Sequence, residues 1–158
     1  MNYAEIKNLD VANGKGIRVS LFVCGCRIHC KNCFNAKLQD FNYGYTFGEE
    51  QLQNIITLLA NEHVDGLSIL GGEPLEKENI DTILYVVKEV RKVYGNTKSI
   101  WLWTGYLYEN LILDERIREI FKHVDILIDG QFIEELKDFR LQYRGSSNQR
   151  VIELDNRQ

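Results

Sequence analysis

Ile17-Arg18-Val19-Ser20-Leu21-Phe22-Val23-Cys24-Gly25-Cys26-Arg27-Ile28-His29-Cys30-Lys31-Asn32-Cys33 is the stretch on which the reading of this chain turns. In its first half Ile17, Val19, Leu21 and Val23 alternate with Arg18, Ser20 and Phe22, which predicts a half-buried strand. The second half is a loop with thiols at Cys26, Cys30 and Cys33, spaced C-x3-C-x2-C. Thiolates are soft ligands that suit iron–sulfur clusters or zinc. A [4Fe–4S] cluster normally takes four cysteines, so three in one loop leave one iron open. Structural zinc normally takes four protein ligands in paired short spacings. A zinc site here would need His29 or Cys24 to complete it, because His63 and His123 lie in other segments. The spacing favours a cluster, with zinc as the alternative.

Outward from this loop, Asn13-Gly14-Lys15-Gly16 is a turn signal ahead of the strand. After the loop and a polar, aromatic stretch the period changes. Leu52, Ile55, Ile56 and Leu59 fall on one face of a helix that begins near Glu49. A strand at 67–70 runs into Gly71-Gly72-Glu73-Pro74, and a helix is expected over 76–94. A third strand at 99–103 ends in Thr104-Gly105-Tyr106, and residues 107–122 read as helix broken near Asp114. A fourth strand at 125–128 ends in Asp129-Gly130, and a last strand is possible at 151–154.

Strands alternating with helices imply an α/β fold of mainly parallel strands. Right-handed crossovers then bring the strand C-terminal ends to one edge, where ligands bind in such folds. The cysteine loop, Gly-Gly-Glu-Pro, Thr-Gly-Tyr and Asp-Gly all occupy such ends, so the chemically unusual segments are expected to converge. The 158 residues suit a single domain, 1–158.

All four cysteines, Cys24, Cys26, Cys30 and Cys33, lie within ten consecutive residues, unlike a disulfide framework. No run is apolar enough to cross a bilayer, and a net charge of −4 offers no basic face for nucleic acid. The start of the chain lacks the basic and apolar stretches of a secretory signal. A cytoplasmic protein that binds neither membrane nor nucleic acid is expected.

Cys24 reads as a small buried residue at the strand end. Gly71 and Gly72 would let a ligand approach the backbone, with Glu73 near an ammonium group; taken alone, these residues favour a plain strand-to-helix turn. Trp101, Trp103 and Tyr106 could line a pocket or serve as core. Arg144-Gly145-Ser146-Ser147-Asn148-Gln149-Arg150 could bind an anion or a partner backbone, or be a solvated turn.

Together these residues resemble the radical S-adenosylmethionine (SAM) superfamily, whose hallmark is C-x3-C-x2-C followed at a distance by Gly-Gly-Glu. Within it, the chain is similar to the glycyl-radical activases of anaerobic ribonucleoside-triphosphate reductase. Val11-Ala12-Asn13-Gly14, Trp101-Leu102-Trp103-Thr104-Gly105-Tyr106, Asp129-Gly130 and Arg144-Gly145-Ser146-Ser147-Asn148-Gln149 carry that narrower match. Three departures stand out: Lys15 between two glycines, Phe34 where a tyrosine is common, and Glu73 where many relatives carry aspartate.

The resemblance implies a small incomplete β/α barrel of radical SAM type. It implies one [4Fe–4S] cluster held by Cys26, Cys30 and Cys33, with SAM chelating the fourth iron. Asn32, Cys33 and Phe34 would face the adenosyl part, and Gly71, Gly72 and Glu73 the methionyl ammonium. Reductive cleavage of SAM would give a 5′-deoxyadenosyl radical that takes a hydrogen atom from a glycine of the reductase large subunit. A low-potential donor such as a flavodoxin would supply the electron. Two other readings stand beside this one. One is a small radical SAM enzyme acting on a free metabolite, as a carboxydeazaguanine synthase does. The other is a non-enzymatic zinc-binding module.

Overall fold

Order along the chain in the computed structural model, which describes residues 1–154, is β1 (Asn2–Asp10), β2 (Arg18–Val23), β3 (Tyr45–Thr46), α1 (Glu49–Leu59), β4 (Gly66–Gly71), α2 (Ile80–Tyr94), β5 (Ser99–Trp103), α3 (Tyr108–Leu111), α4 (Glu115–Phe121), β6 (Ile126–Asp129) and β7 (Arg150–Glu153). The strands form one sheet in the order β3-β1-β2-β4-β5-β6-β7. β2, β4, β5 and β6 run parallel, while β1, β3 and β7 join antiparallel at the flanks. The fold is therefore α/β with a parallel middle.

Strand alternation gives the sheet two different faces. Val19, Leu21 and Val23 of β2, Leu67 and Ile69 of β4, and Ile100 and Leu102 of β5 pack with Leu52, Ile55 and Leu59 of α1. Ile83, Val86, Val87 and Val90 of α2 and Ile117, Ile120 and Phe121 of α4 complete this apolar layer. The break in the 107–122 helix falls at Asp114, whose carboxylate caps α4 by accepting the Arg116 N–H at 2.8 Å.

The opposite face is buried too, which corrects the half-buried expectation for β2. Arg18 and Ser20 are 1% and 0% exposed. Each of the five Arg18 N–H groups finds an acceptor, namely Ser68 Oγ, Ser99 Oγ and the carbonyls of Lys15, Leu67 and Ser99, at 2.6–3.0 Å. Its guanidinium also lies 5.3 Å from the centre of the Trp101 ring. Burial pulls Arg18 down to about 10, so it remains charged at neutral pH. Asp10 accepts from Ser20, Asn13 and the Ala12 N–H. Burial pushes the Asp10 carboxyl up, but these hydrogen bonds outweigh it and leave the group below its usual range.

Two further differences from the sequence reading have local causes. β1 was not foreseen, because its register slips between Tyr3 and Glu5 and again between Lys7 and Asp10, which erases the period-two signal. The helix expected over 76–94 begins at Ile80, because the side chains of Glu73, Glu76 and Asn79 are engaged with neighbouring loops.

Candidate functional site

The C-terminal ends of the parallel strands surround a cavity of about 620 Å³. Cys26, Cys30, Cys33, Phe34, Gly71 and Gly72 are among the residues that line it. The segments that the sequence placed at strand ends do converge there, as parallel crossovers require. Asn32 and Glu73 are not among the lining residues.

The cysteine loop is shaped by backbone geometry that few residues adopt. His29 and Asn32 have φ of 52° and 54°, in the left-handed region, and the Cys33 N–H donates to the Cys30 carbonyl at 3.2 Å. The base of the loop is fixed by Gly25 N–H to Leu38 O at 2.7 Å and Cys26 N–H to Gln39 O at 3.0 Å. His29 pairs with Gln39 through Nδ1 at 2.9 Å. All four thiols are free. Burial pushes the Cys26 and Cys30 thiols up; amides of Ile28 and His29 act the other way on Cys26.

Among the described residues, no three His, Cys, Asp or Glu side chains converge as ligands of a single metal ion. A [4Fe–4S] cube makes a different demand, since each thiolate binds a separate corner. Three cysteines lining one cavity that also meets Gly71 and Gly72 suit a cube. Cys24 stands apart at 1% exposure; its N–H donates to Asn2 O, and its carbonyl accepts from Asn79 Nδ2 at 3.1 Å.

At the Gly-Gly-Glu turn, the glycines accommodate protein rather than empty space. A Cβ on Gly71, where φ is +117°, would lie 2.5 Å from the Val23 backbone. A Cβ on Gly72 would lie 2.6 Å from Leu38 O and 2.8 Å from Gly25 O. The Gly72 and Glu73 amides donate to Val23 O and Gly25 O, both at 2.8 Å, extending the β2–β4 pairing beyond the strands. Asn35 Nδ2 donates to Gly71 O at 3.2 Å and so ties the cysteine loop to this turn. The Glu73 carboxylate is 1% exposed and accepts from Leu75 N–H, Thr104 Oγ1 and Gly105 N–H at 2.7–2.9 Å. Burial nonetheless pushes it up to about 7.

Trp103, Phe132, Tyr143, Arg144 and Gln149 complete the lining. Trp103 Nε1 donates to Tyr143 O at 2.7 Å, while Trp101 is core and packs edge-on against Tyr143 at 4.8 Å. Phe34 is 64% exposed, and its ring lies 4.9 Å from that of Phe132. Arg144 donates to the carbonyls of Ser147 and Gln149, so its guanidinium holds its own turn. Gln149 Oε1 accepts from the amides of Gly145 and Ser146, and Gln149 Nε2 donates to Gly130 O at 3.0 Å. Asn35 and Gln149 were not singled out from the sequence individually. Lone amides carry no spacing signal, and only their place beside the cysteines and within Arg-Gly-Ser-Ser-Asn-Gln marked them.

The sequence also matches known proteins. Residues 12–152 match the family model described as a 4Fe-4S single cluster domain. The chain is 41% identical over 151 residues to the anaerobic ribonucleoside-triphosphate reductase-activating protein of Haemophilus influenzae, covering 94% of this chain and 96% of that relative. It is 38% identical over 151 residues to the protein of that name from Vibrio cholerae, covering 94% and 96%. For the Escherichia coli K12 protein of that name, the figures are 36% over 156 residues, 98% and 99%.

Proposed function

The chain belongs to the family of anaerobic ribonucleoside-triphosphate reductase-activating proteins, and from this we propose that it installs a glycyl radical on the reductase large subunit by radical SAM chemistry. The observation that carries this reading is the placing of Cys26, Cys30, Cys33, Gly71 and Gly72 around one cavity. In this reading the sheet is an incomplete β/α barrel within one domain spanning 1–158. It works in the cytoplasm with a low-potential donor such as a flavodoxin. Among the described residues no helix is long and apolar enough to cross a membrane.

Cys26, Cys30 and Cys33 would hold one [4Fe–4S] cluster, leaving one iron for SAM. Once bound, that cluster would supply the electron for reductive cleavage of SAM to methionine and a 5′-deoxyadenosyl radical able to take a hydrogen atom from a glycine Cα of the partner. The protein's own contribution is placement. At the Gly71-Gly72-Glu73 turn the Gly72 and Glu73 amides are bonded, and the Gly71 and Glu73 carbonyls accept from Asn35 and Asn79, so the Gly72 carbonyl is the oxygen the turn can offer a ligand. That is an acceptor, suited to the methionyl ammonium. Glu73 assists by bracing this turn against Thr104 and Gly105. Phe34 offers a ring face for the adenosyl part, and the left-handed Asn32 sets the turn that presents Cys33 and Phe34.

The test is anaerobic iron–sulfide reconstitution followed by electron paramagnetic resonance of the dithionite-reduced protein, with and without SAM. A reduced-cluster signal that changes shape on adding SAM is expected. A colourless protein that takes up zinc and no cluster would refute the reading.

A further inference from the structure

The turn after β4 carries a second carboxylate, Glu76, that faces the cysteine loop. It is 3% exposed, and its Oε2 accepts the N–H of Arg27 at 2.6 Å. Its Oε1 accepts the phenol of Tyr106. The Arg27 guanidinium lies 3.6 Å from the same Oε2, pairs with Glu78 at 2.7 Å and sits 4.6 Å above the Phe41 ring. Amide-to-carboxylate bonds of this length are charge-assisted and among the stronger ones.

The position of that amide matters. It belongs to the peptide that links Cys26 to Arg27, and the preceding amide, of Cys26 itself, donates to Gln39 O at 3.0 Å. Two successive peptide groups at Cys26 are therefore anchored outside the loop. With the backbone fixed on both sides, the Cys26 sulfur has only its χ1 wells left to choose among. The Cys33 amide, by contrast, bonds within the loop, to Cys30 O.

We propose that Glu76 is a positioning residue for the cluster: it fixes the peptide following Cys26 and thereby the direction from which that sulfur meets iron. The proposal rests on the reading of Cys26 as a cluster ligand. Tyr106 holds the other carboxylate oxygen and so braces the arrangement from the β5 end.

The experiment compares anaerobically reconstituted parent, E76Q, E76A and Y106F. It reads iron retained against a ferrous chelator and the line shape of the reduced cluster in electron paramagnetic resonance. In Glu76→Gln the amide oxygen can still accept the Arg27 N–H, while the amide NH₂ donates to the Tyr106 hydroxyl. E76Q is therefore expected to match the parent in both readouts. E76A is expected to retain iron about ten- to a hundredfold less well, the range for groups that orient metal ligands, with an altered line shape. Y106F should shift both readouts in the same direction by less, and it decides the matter if E76A does not fold. Parent-like retention and line shape in E76A, or in Y106F where E76A is lost, overturns the proposal. So does an E76Q as impaired as E76A, since charge rather than placement would then be at work. A parent that takes up no cluster overturns the ligand reading and the proposal together; a loaded parent matched by E76A overturns the proposal alone.

Discussion

Gly72→Ala tests the tightest joint of the site. The new Cβ would stand 2.6 Å from Leu38 O, 2.8 Å from Gly25 O and 3.1 Å from Gly25 N, all backbone atoms of the loop that carries the cysteines. None can swing aside as a flexible side chain would. Forcing one methyl into a filled space costs about 1–3 kcal/mol. Moving the loop away also strains two hydrogen bonds, Gly72 N–H to Val23 O and Glu73 N–H to Gly25 O, each worth about 0.5–1.5 kcal/mol. Together the expected loss is about 2–6 kcal/mol, against a total of about 5–15 kcal/mol for a domain. Chemical denaturation of anaerobically reconstituted protein measures it, with iron content as the second readout because Gly25 precedes Cys26. Gly95→Ala is the comparison: φ is +57° and ψ −129° with no atom within 4 Å of the new Cβ, so only the cost of a backbone conformation that favours glycine applies, about 1–3 kcal/mol. A G72A protein within about 0.5 kcal/mol of the parent, the ordinary scatter of surface changes, would refute the close-packing argument.

Other perturbations follow from the same contacts. Glu73 is held at about 7 in the fold against 4.5 in the open chain. The stability it contributes is therefore fully present below 4.5 and is lost as pH rises through 7, about 3 kcal/mol in all at 1.36 kcal/mol per unit. The difference in unfolding free energy between parent and E73Q should fall by about that much from pH 4.5 to 8; a flat difference would sink the assignment. Cys24→Ala should keep the reduced-cluster signal, while alanine at Cys26, Cys30 or Cys33 should abolish it, and loss of the signal in C24A would give that buried thiol a role. Arg150 joins the fully buried Asp129 to Glu109. R150A leaves the Asp129 carboxylate with the Tyr108 N–H; because Arg150 is itself half exposed, the expected cost in denaturant is about 1–3 kcal/mol, and R150K should cost less.

The parallel middle of the sheet and the convergence of the cysteine loop with the Gly-Gly-Glu turn were legible because both rest on local signals. One is a period of two or 3.6, and the other is a fixed spacing of thiols. Less legible was anything that depends on a partner distant in sequence. β1 pairs correctly with β2 only through two register slips, and β3 has two residues, too few to show a period. Gly71 and Gly72 taken alone read more readily as a turn than as a ligand cradle. The structure shows the space beside them occupied by Val23, Gly25 and Leu38. Arg144 offered a cation to a possible anion, yet its donors go to its own turn. In each case residue type was visible and contact was not.

The two ends of the parallel strands divide the work. At the N-terminal end Arg18, Asp10, Ser20 and Ser68 form a network in which all five Arg18 donors are matched by neutral acceptors. A buried guanidinium so bonded is strongly destabilised by loss of any acceptor, because the unmatched N–H keeps its desolvation penalty. That end is therefore densely bonded and resists change, even beside a cavity of about 710 Å³ lined by Lys15, Asp65, Ser99, Trp101 and Asp125. At the C-terminal end, Phe22 and Leu70 sit on the same sheet face but lead into the cavity instead, and the loops there are joined by backbone bonds, such as Glu73 N–H to Gly25 O, and by side-chain bonds, such as Asn35 to Gly71 and Glu73 to Thr104 and Gly105. Bonds of that kind fix positions without filling volume. A chain of this size can thus keep an open cavity of about 620 Å³ beside its thiols because rigidity is supplied from the other end of the same strands.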